Sequence, residues 1–397
     1  MIEPELETVD PTRAAMRGTN QTGVRAHNER LVLSILRRDG PLAKAEIARL
    51  TGLSAQTVSV IMRALEQDGM LLREAPRRGK VGQPSVPMRL NPDGAFFHGI
   101  TVGRRWIEHV LVDMTGAIRA SERHPYDWPE FDSVLEATMR SIEALEETLD
   151  PEQRARVAGL GVAVPTRLWT RSDEGDVPAD HVRAWRERDF ATELDAVCPY
   201  KVHEVSESAA PCAAELVFGG HRDLPATFLH VFLGYFVGGG LVIDNRVFIG
   251  PTGHAGDIGA VPIAQPDGST QRLSEVASLN RLGRRVIESG KELEPFLALP
   301  LDWALIEGEI EDWLLDVIPA LSQAVVTAAS LIDVEAVMID GHMPDDLRDR
   351  LVQRVAERVE TADFSGYARP KIHAGTMGPA ARSMGAASLP LAARFLV

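Results

Sequence analysis

Apolar positions recur along this chain in two rhythms, and the change from one to the other falls near residue 91. Before it the period is helical. Arg25–Arg38, with apolar residues at 32, 33, 35 and 36, predicts a first helix, broken by Asp39-Gly40-Pro41. Lys44–Leu50 predicts a short second helix with Ile47 and Leu50 inward, and Thr51-Gly52-Leu53 a tight turn that uses the backbone freedom of glycine. Ser54 then stands where an N-cap belongs, and Ala55–Asp68 places Val58, Ile61 and Leu65 on one face. Gly69 ends that helix. Met70–Glu74 reads as a strand, 76–84 as a loop and Val86–Leu90 as the returning strand. Residues 1–22 are polar and aperiodic, as in a flexible lead.

After Asn91-Pro92-Asp93-Gly94 the pattern is one of strands. Phe96–Val102, Trp106–Asp113 and Ala117–Ser121 suggest an antiparallel meander. A helix over Asp132–Leu149 follows, then a buried strand over Val157–Val164 stopped by Pro165, a helix over Phe190–Val197, a strand over Lys201–Val205 and a helix over Ser208–Phe218. A similar series begins next, with strands over Ala226–Leu233, Gly238–Ile243 and Arg246–Ile249. Helices at 273–288, 302–306 and 309–332 come after it, then a strand over Val334–Ile339, a helix at 345–360, a strand at 370–374 and a last helix from about Ala380. The repetition predicts two related α/β lobes with a cleft between them, a usual place for a ligand. The expected division is 23–90 for the front domain, 91–206 plus about 376–397 for one lobe, and 207–375 for the other.

Composition narrows the class. A chain of 397 residues with 45% hydrophobic and 25% charged residues can bury a large core. No apolar run is expected to reach the length of a membrane span, and the acidic start Met1-Ile2-Glu3-Pro4-Glu5 is unlike a secretion signal, so a cytoplasmic location is expected. The two cysteines, Cys198 and Cys212, are expected to be reduced and partly buried.

Charge is where the halves part. The whole chain carries −15, yet residues 11–90 hold 14 Lys and Arg against 6 Asp and Glu, a net of +8. A basic patch on an acidic body suits phosphate attraction. The outer side of the 55–68 helix presents Ser54, Gln56, Thr57, Ser59 and Arg63, groups that suit base edges and phosphates in a major groove. Lys44 belongs to the same DNA-binding set, and the loop residues Arg77, Arg78 and Lys80 would hold adjacent backbone or minor groove. A small helical bundle with a merely solvated face would share some of these features. Turn spacing, cap and basic hairpin together point instead to a winged helix-turn-helix that binds double-stranded DNA.

Further along, Gly161-Val162-Ala163-Val164-Pro165, the run Leu233-Gly234-Tyr235-Phe236-Val237-Gly238-Gly239-Gly240-Leu241 and the following Gly253-His254-Ala255-Gly256-Asp257-Ile258-Gly259 carry a family resemblance. With the front module, the chain resembles the ROK-family transcriptional regulators, from about residue 25 onward. The resemblance implies an α/β, two-lobed, actin- and hexokinase-like body behind the winged helix-turn-helix. It places Ser206, Glu207, Gly234, Asp257 and Glu275 at ligand-contacting positions, with Asp257 where Glu is usual. Carboxylates accept several hydroxyl hydrogen bonds, which suits a sugar or polyol; capping a helix or pairing with Arg is the alternative for each.

Departures from the kinase members of the family carry equal weight. Thr101, in Ile100-Thr101-Val102-Gly103-Arg104, stands in the place of an acidic residue. Ser206-Glu207 replaces an Asn-Asp pair whose Asp is the catalytic base, and a displacement of about 1 Å can cost roughly 100-fold in rate. Asp340-Gly341-His342 replaces a glycine triplet. The family's zinc segment is matched by Ala260 and by 265–275, which hold no cysteine or histidine, so no metal and no cofactor are expected. His254 and His342 read as ordinary hydrogen-bonded histidines, and Arg167 as a surface arginine. The expected function is a non-enzymatic regulator, most simply a repressor of carbohydrate genes. It would act as a homodimer (a tetramer is open), with a sugar or polyol effector between the lobes. An ATP-dependent sugar kinase with an appended DNA-binding domain is the alternative.

Overall fold

The computed structural model describes residues 21–76, 85–165, 179–221, 224–291 and 303–397. It divides into two compact units, one ending at Asn91 and including Arg394–Val397, the other running Pro92–Ala393. The expected flexible lead falls almost wholly, and Arg77, Arg78, Lys80 and Arg167 entirely, outside the described residues.

In the first unit, α1 (Gln21–Asp39), α2 (Lys44–Thr51) and α3 (Ala55–Gln67) precede two short strands, β1 (Leu71–Arg73) and β2 (Met88–Leu90). Val32, Leu36, Ile47, Val58, Met62 and Leu65 are buried. Gly52 ends α2 in the left-handed region at φ +70°, where a side chain would be strained. The strands pair antiparallel, Leu71 opposite Leu90 and Arg73 opposite Met88, and Leu42 bridges to Met88 at the edge. Leu50 departs from expectation. It is 39% exposed, because α2 buries Ile47 and closes one residue later, where the Thr51 hydroxyl turns back onto the Ile47 carbonyl.

The second unit holds two five-stranded sheets of the same topology. The first has the order β5 (Ile118–Pro125), β4 (Trp106–Asp113), β3 (Phe96–Val102), β6 (Val157–Val164), β7 (Val202–Ser206). The second has the order β10 (Arg246–Phe248), β9 (Val237–Ile243), β8 (Phe228–Leu233), β13 (Ala336–Gly341), β14 (Lys371–Ala374). In each, three strands run antiparallel and the last two join parallel. Among the described residues, five helices accompany the first series: α4 (Phe131–Glu146), α5 (Pro151–Arg154), α6 (Ala179–Glu187), α7 (Phe190–Val197) and α8 (Ala210–Phe218). In the second, a hairpin of β11 (Pro262–Ala264) and β12 (Thr270–Arg272) leads into α9 (Leu273–Ala277) and α10 (Leu279–Glu288). The single helix expected at 273–288 is broken at Ser278, whose hydroxyl caps the second piece by accepting the Arg281 amide at 3.3 Å.

Helix α11 (Glu307–Ile332) also corrects an expectation. With the turn before it, it is long and apolar enough to cross a membrane by length and composition. Its Ile310, Trp313, Leu314, Val317, Leu321 and Val325 are instead buried in the core of the second lobe, beside α12 (Asp345–Glu360). Cys198 and Cys212 are both free, and Cys212 is buried completely rather than partly.

Helix α13 (Ala381–Phe395) seats on the first sheet through missing side chains. A Cβ on Gly161 would overlap the Ala386 carbonyl, and one on Gly99 would lie 2.7 Å from Ala387 Cβ. The glycine-rich segments of the second lobe meet in the same way, since a Cβ on Gly256 would lie 2.7 Å from the Gly240 carbonyl carbon. Gly161→Ala should therefore lower the thermal midpoint measurably, by overpacking worth roughly 1–3 kcal/mol. Gly308→Ala, where nothing lies within 4 Å, should leave it level or slightly raised. Differential scanning fluorimetry of the two variants checks the contrast.

Candidate functional site

Two surfaces qualify, one in each unit. In the first, Ser54 caps α3 by accepting the Thr57 amide at 3.1 Å, and the two hydroxyls lie 2.8 Å apart. With Val58, Ile61, Met62 and Leu65 turned inward, the opposite side of α3 is solvent-facing. Lys44, Ser54, Gln56 and Arg63 are exposed, and Thr57 and Ser59 are partly so. Val60 is 56% exposed, an apolar group between Gln56 and Arg63 at helical spacing. The sequence reading passed over it; an apolar residue on the polar side of an amphipathic helix was the available signal. Arg73 of β1 is held by Glu66 of α3 at 2.6 and 2.9 Å, which ties the wing strand to the helix and commits that guanidinium to protein.

In the second unit, Glu207 follows β7 and its amide donates to Val164 O at 2.9 Å. Its carboxylate is 21% exposed and lies 3.9 Å from an Arg382 guanidinium nitrogen. Burial raises its pKa, nearby Asp257 raises it further, and Arg382 opposes both. Glu207 and Asp257 are thus brought close enough to feel each other. The Ser206 hydroxyl accepts the Ala209 amide at 3.2 Å. Gly234 is buried against Arg382, whose Nη2 would lie 2.6 Å from a Cβ there. Glu275 is exposed and its carboxylate accepts the Arg272 amide at 2.8 Å, capping α9, while its neighbour Ser274 faces inward and accepts the Val237 amide at 3.1 Å.

A cavity of about 250 Å³ opens between the β3–β4 turn of the first lobe and β8, α10 and the start of α13. Arg104, Arg105, Arg284 and Arg382 line it with the buried Thr101, and among the described residues Glu108 is the one lining acid. Both carboxylate oxygens of Glu108 are engaged, by Arg123 at 2.8 Å and by the Ser383 hydroxyl at 3.1 Å. Three of these arginines lie against rings: Arg104 is 4.8 Å and Arg105 5.4 Å from the Trp128 centroid, and Arg382 is 5.2 Å from that of Phe232. His342 also lines the cavity, and burial pushes its pKa down to about 4, so its ring is neutral at pH 7. Of the lining residues the sequence reading singled out Thr101, Gly234 and His342. The Arg104-Arg105 pair at a strand turn was visible, but Arg284 and Arg382 join it only through the fold.

The donors that come nearest to a metal set, among the described residues, are Glu215, His230 and Asp340, all buried and within 4.8 Å of one another. Both carboxylates already serve the segment ahead of α13. Glu215 accepts the Thr376 amide and hydroxyl at 2.8 and 2.9 Å, and Asp340 accepts the Met377 and Gly378 amides at 3.1 and 2.8 Å. His254 is exposed.

Comparison with known proteins agrees with this division. The model of the ROK family matches residues 97–393, and that of a winged helix-turn-helix DNA-binding domain matches residues 25–71. An uncharacterised protein, y4fQ of Sinorhizobium fredii, is 26% identical over 377 residues, covering 93% of this chain and 91% of its own. The xylose repressor of Bacillus subtilis is 25% identical over 248 residues, 62% of each chain. A crystal structure of a ROK-family transcriptional regulator homologous to the E. coli MLC protein superposes with a TM-score of 0.64 at 18% identity, over 94% of this chain and 97% of that one. A ROK-family glucokinase from Streptomyces griseus, solved with glucose and AMPPNP, gives 0.56 at 19% identity, over 74% and 99%.

Loss of the α3 cap gives a local check. Ser54→Ala should destabilise the front unit by about 1 kcal/mol, and Ser54→Asp should restore most of it. Hydrogen exchange of the α3 amides reads the difference, and equal protection in all three proteins would contradict the capping role.

Proposed function

The chain belongs to the ROK family, and on that premise we propose that it is a DNA-binding transcriptional repressor of carbohydrate genes whose second unit senses a small polyhydroxylated effector. One observation carries the reading. A capped helix in a winged helix-turn-helix holds Gln56, Val60 and Arg63 out to solvent on a single side. An amide that can pair with adenine, an apolar contact for a thymine methyl and a guanidinium for guanine or phosphate make a base-reading set. The name of the B. subtilis relative, a xylose repressor, supports both the repression and the sugar.

Glu207 and Asp257 would supply hydroxyl acceptors for the effector, with Ser206 and Gly234 beside them and the exposed Glu275 outside. The body is non-catalytic in this reading. Thr101 offers a hydroxyl where metal-assisted phosphoryl transfer needs a carboxylate, and Glu207, the available base, lies against Arg382. Two α3 helices at a spacing of one helical turn would read a two-fold operator, which makes a homodimer the working form. Effector binding would favour one arrangement of the two lobes and so change operator affinity.

A gel-shift titration with DNA from upstream of the protein's own operon tests this. A specific complex that weakens with salt is expected. Gln56→Ala and Arg63→Ala should each cost roughly 5- to 100-fold in specific affinity while leaving non-specific binding nearly unchanged for Gln56→Ala. Absence of any specific complex with the parent protein would sink the proposal.

A further inference from the structure

Behind the segment that leads into α13, three ionisable side chains share one buried space. Strands β8 and β13 run parallel with His230 opposite Met338 and Phe232 opposite Asp340, so alternation turns His230 and Asp340 to the same face of the sheet. Glu215 comes from α8, which packs on β8 and β9. All three are buried, and a donor atom of each lies within 4.8 Å of the other two. The carboxylates accept only from neutral groups: Asp340 from the Gly341, Met377 and Gly378 amides, Glu215 from the Thr376 amide and hydroxyl. No ion pair among the described residues reaches either, and Arg348 acts on Asp340 from a distance. His230 is the anomaly. It is 0% exposed, and neither ring nitrogen has a hydrogen-bond partner. A neutral imidazole carries one donor and one acceptor, and leaving both unmatched in a core costs free energy that a bound partner would recover. Glycines leave space at the carboxylates: a Cβ on Gly219 would lie 2.6 Å from Glu215 Oε1, and one on Gly375 2.5 Å from Asp340 Cβ.

We propose that Glu215, His230 and Asp340 bind a divalent transition-metal ion, Zn²⁺ or Mn²⁺, that ties β8, β13 and α8 to the segment ahead of α13. Two buried carboxylates match the charge of a divalent cation, and the His230 lone pair supplies the nitrogen ligand. One imidazole with two carboxylates suits Zn²⁺ or Mn²⁺, whereas Mg²⁺ and Ca²⁺ favour oxygen ligands alone. Each carboxylate oxygen carries two lone pairs, so Glu215 can keep Thr376 and still face the ion. A shift of less than about 1 Å in each side chain brings the donors to the roughly 2.0–2.2 Å that nitrogen and oxygen keep from Zn²⁺. The site lies apart from Ala260 and residues 265–275, the segment that the family resemblance aligns with zinc. Its consequence is mechanical. The same carboxylates hold the amides of Thr376, Met377 and Gly378, so an ion that fixes them also fixes the entry to α13.

Metal analysis and thermal-shift titration of the full chain, stripped with EDTA and then given Zn²⁺, Mn²⁺ or Mg²⁺, test the site. A single Zn²⁺ or Mn²⁺ ion per chain should bind and raise the thermal midpoint, and Mg²⁺ should do neither. Hydrogen exchange at the 376–378 amides should slow when the ion is bound. His230→Phe keeps the core filled without offering a ligand. Glu215→Gln keeps both contacts with Thr376 once the hydroxyl turns to accept, so it reports on the site even where His230→Phe fails to fold. Each should weaken metal binding by roughly 100-fold or more. His373→Gln is the control for adventitious binding, since His221 and His373 form a half-buried pair with ring centroids 5.7 Å apart; it should leave stoichiometry and affinity unchanged. The proposal is overturned if neither Zn²⁺ nor Mn²⁺ binds, if Mg²⁺ binds as tightly, if Glu215→Gln binds as well as the parent, or if His373→Gln is the change that removes the ion.

Discussion

Everything in the larger unit depends on backbone approaching backbone where no Cβ intervenes. Helix α13 lies so close to β3 and β6 that Gly99 and Gly161 leave no room for a methyl group, and Gly385 meets the Ala210 carbonyl in the same manner. In the second lobe Gly239 and Gly240 of β9 close against Gly256, and Gly259 against Val237. Cores packed to crystal density do not absorb added carbons cheaply. Such contacts therefore hold the register of α13 on the sheet, and that register decides where Arg382 emerges. Its guanidinium lies over Gly234 in space that any larger residue would claim. Packing and site are one constraint here. The glycine-rich runs that look in sequence like a ligand cradle serve first to let two backbones touch.

A second theme is that net charge misleads and local charge informs. The chain carries −15 overall. Cations nevertheless collect in two places, the front unit and the interlobe cavity. In the front unit Lys44 of α2 and Arg63 of α3 are exposed, while Val58, Ile61, Met62 and Leu65 of α3 are buried. In the cavity Arg104, Arg105 and Arg382 lie over aromatic faces, which stabilises a guanidinium modestly, and Arg382 also lies 3.9 Å from the Glu207 carboxylate. Fields of this kind attract anions only over a Debye length of about 10 Å at 0.1 M salt, so an acidic exterior does not cancel them.

Much of the architecture was legible because hydrophobic period states it directly. The strands Phe96–Val102, Trp106–Asp113 and Val157–Val164 are continuous apolar or alternating runs bounded by turn residues, and each appears at its expected limits. The helix over Asp345–Glu360 likewise shows its buried stripe of Leu347, Leu351, Val355 and Val359. Elements fixed by tertiary contact were harder. Helix α6 has few apolar residues and depends on Trp185, whose indole donates to the Pro129 carbonyl at 2.7 Å. The β11–β12 hairpin is three residues on each side. In the turn after it, Ser274 faces inward and Glu275 outward, a difference between neighbours that the packing decides. Arginines at 104, 284 and 382 come together only in the fold, because 278 residues separate the first from the last.

The origin of the cationic groups also bears on how a ligand could act at a distance. A ligand shifts a conformational equilibrium only by the difference between its affinities for the two states. A neutral polyol on Glu207 and Asp257 would contact residues that already lie close together, and its differential energy would be small. Arg104 and Arg105 on the β3–β4 turn, Arg284 on α10 and Arg382 at the start of α13 are different, because they belong to separate elements of both lobes. A ligand that touched them would gain or lose contacts as the lobes moved, and its differential energy would follow from where these groups are anchored rather than from how tightly any one of them binds.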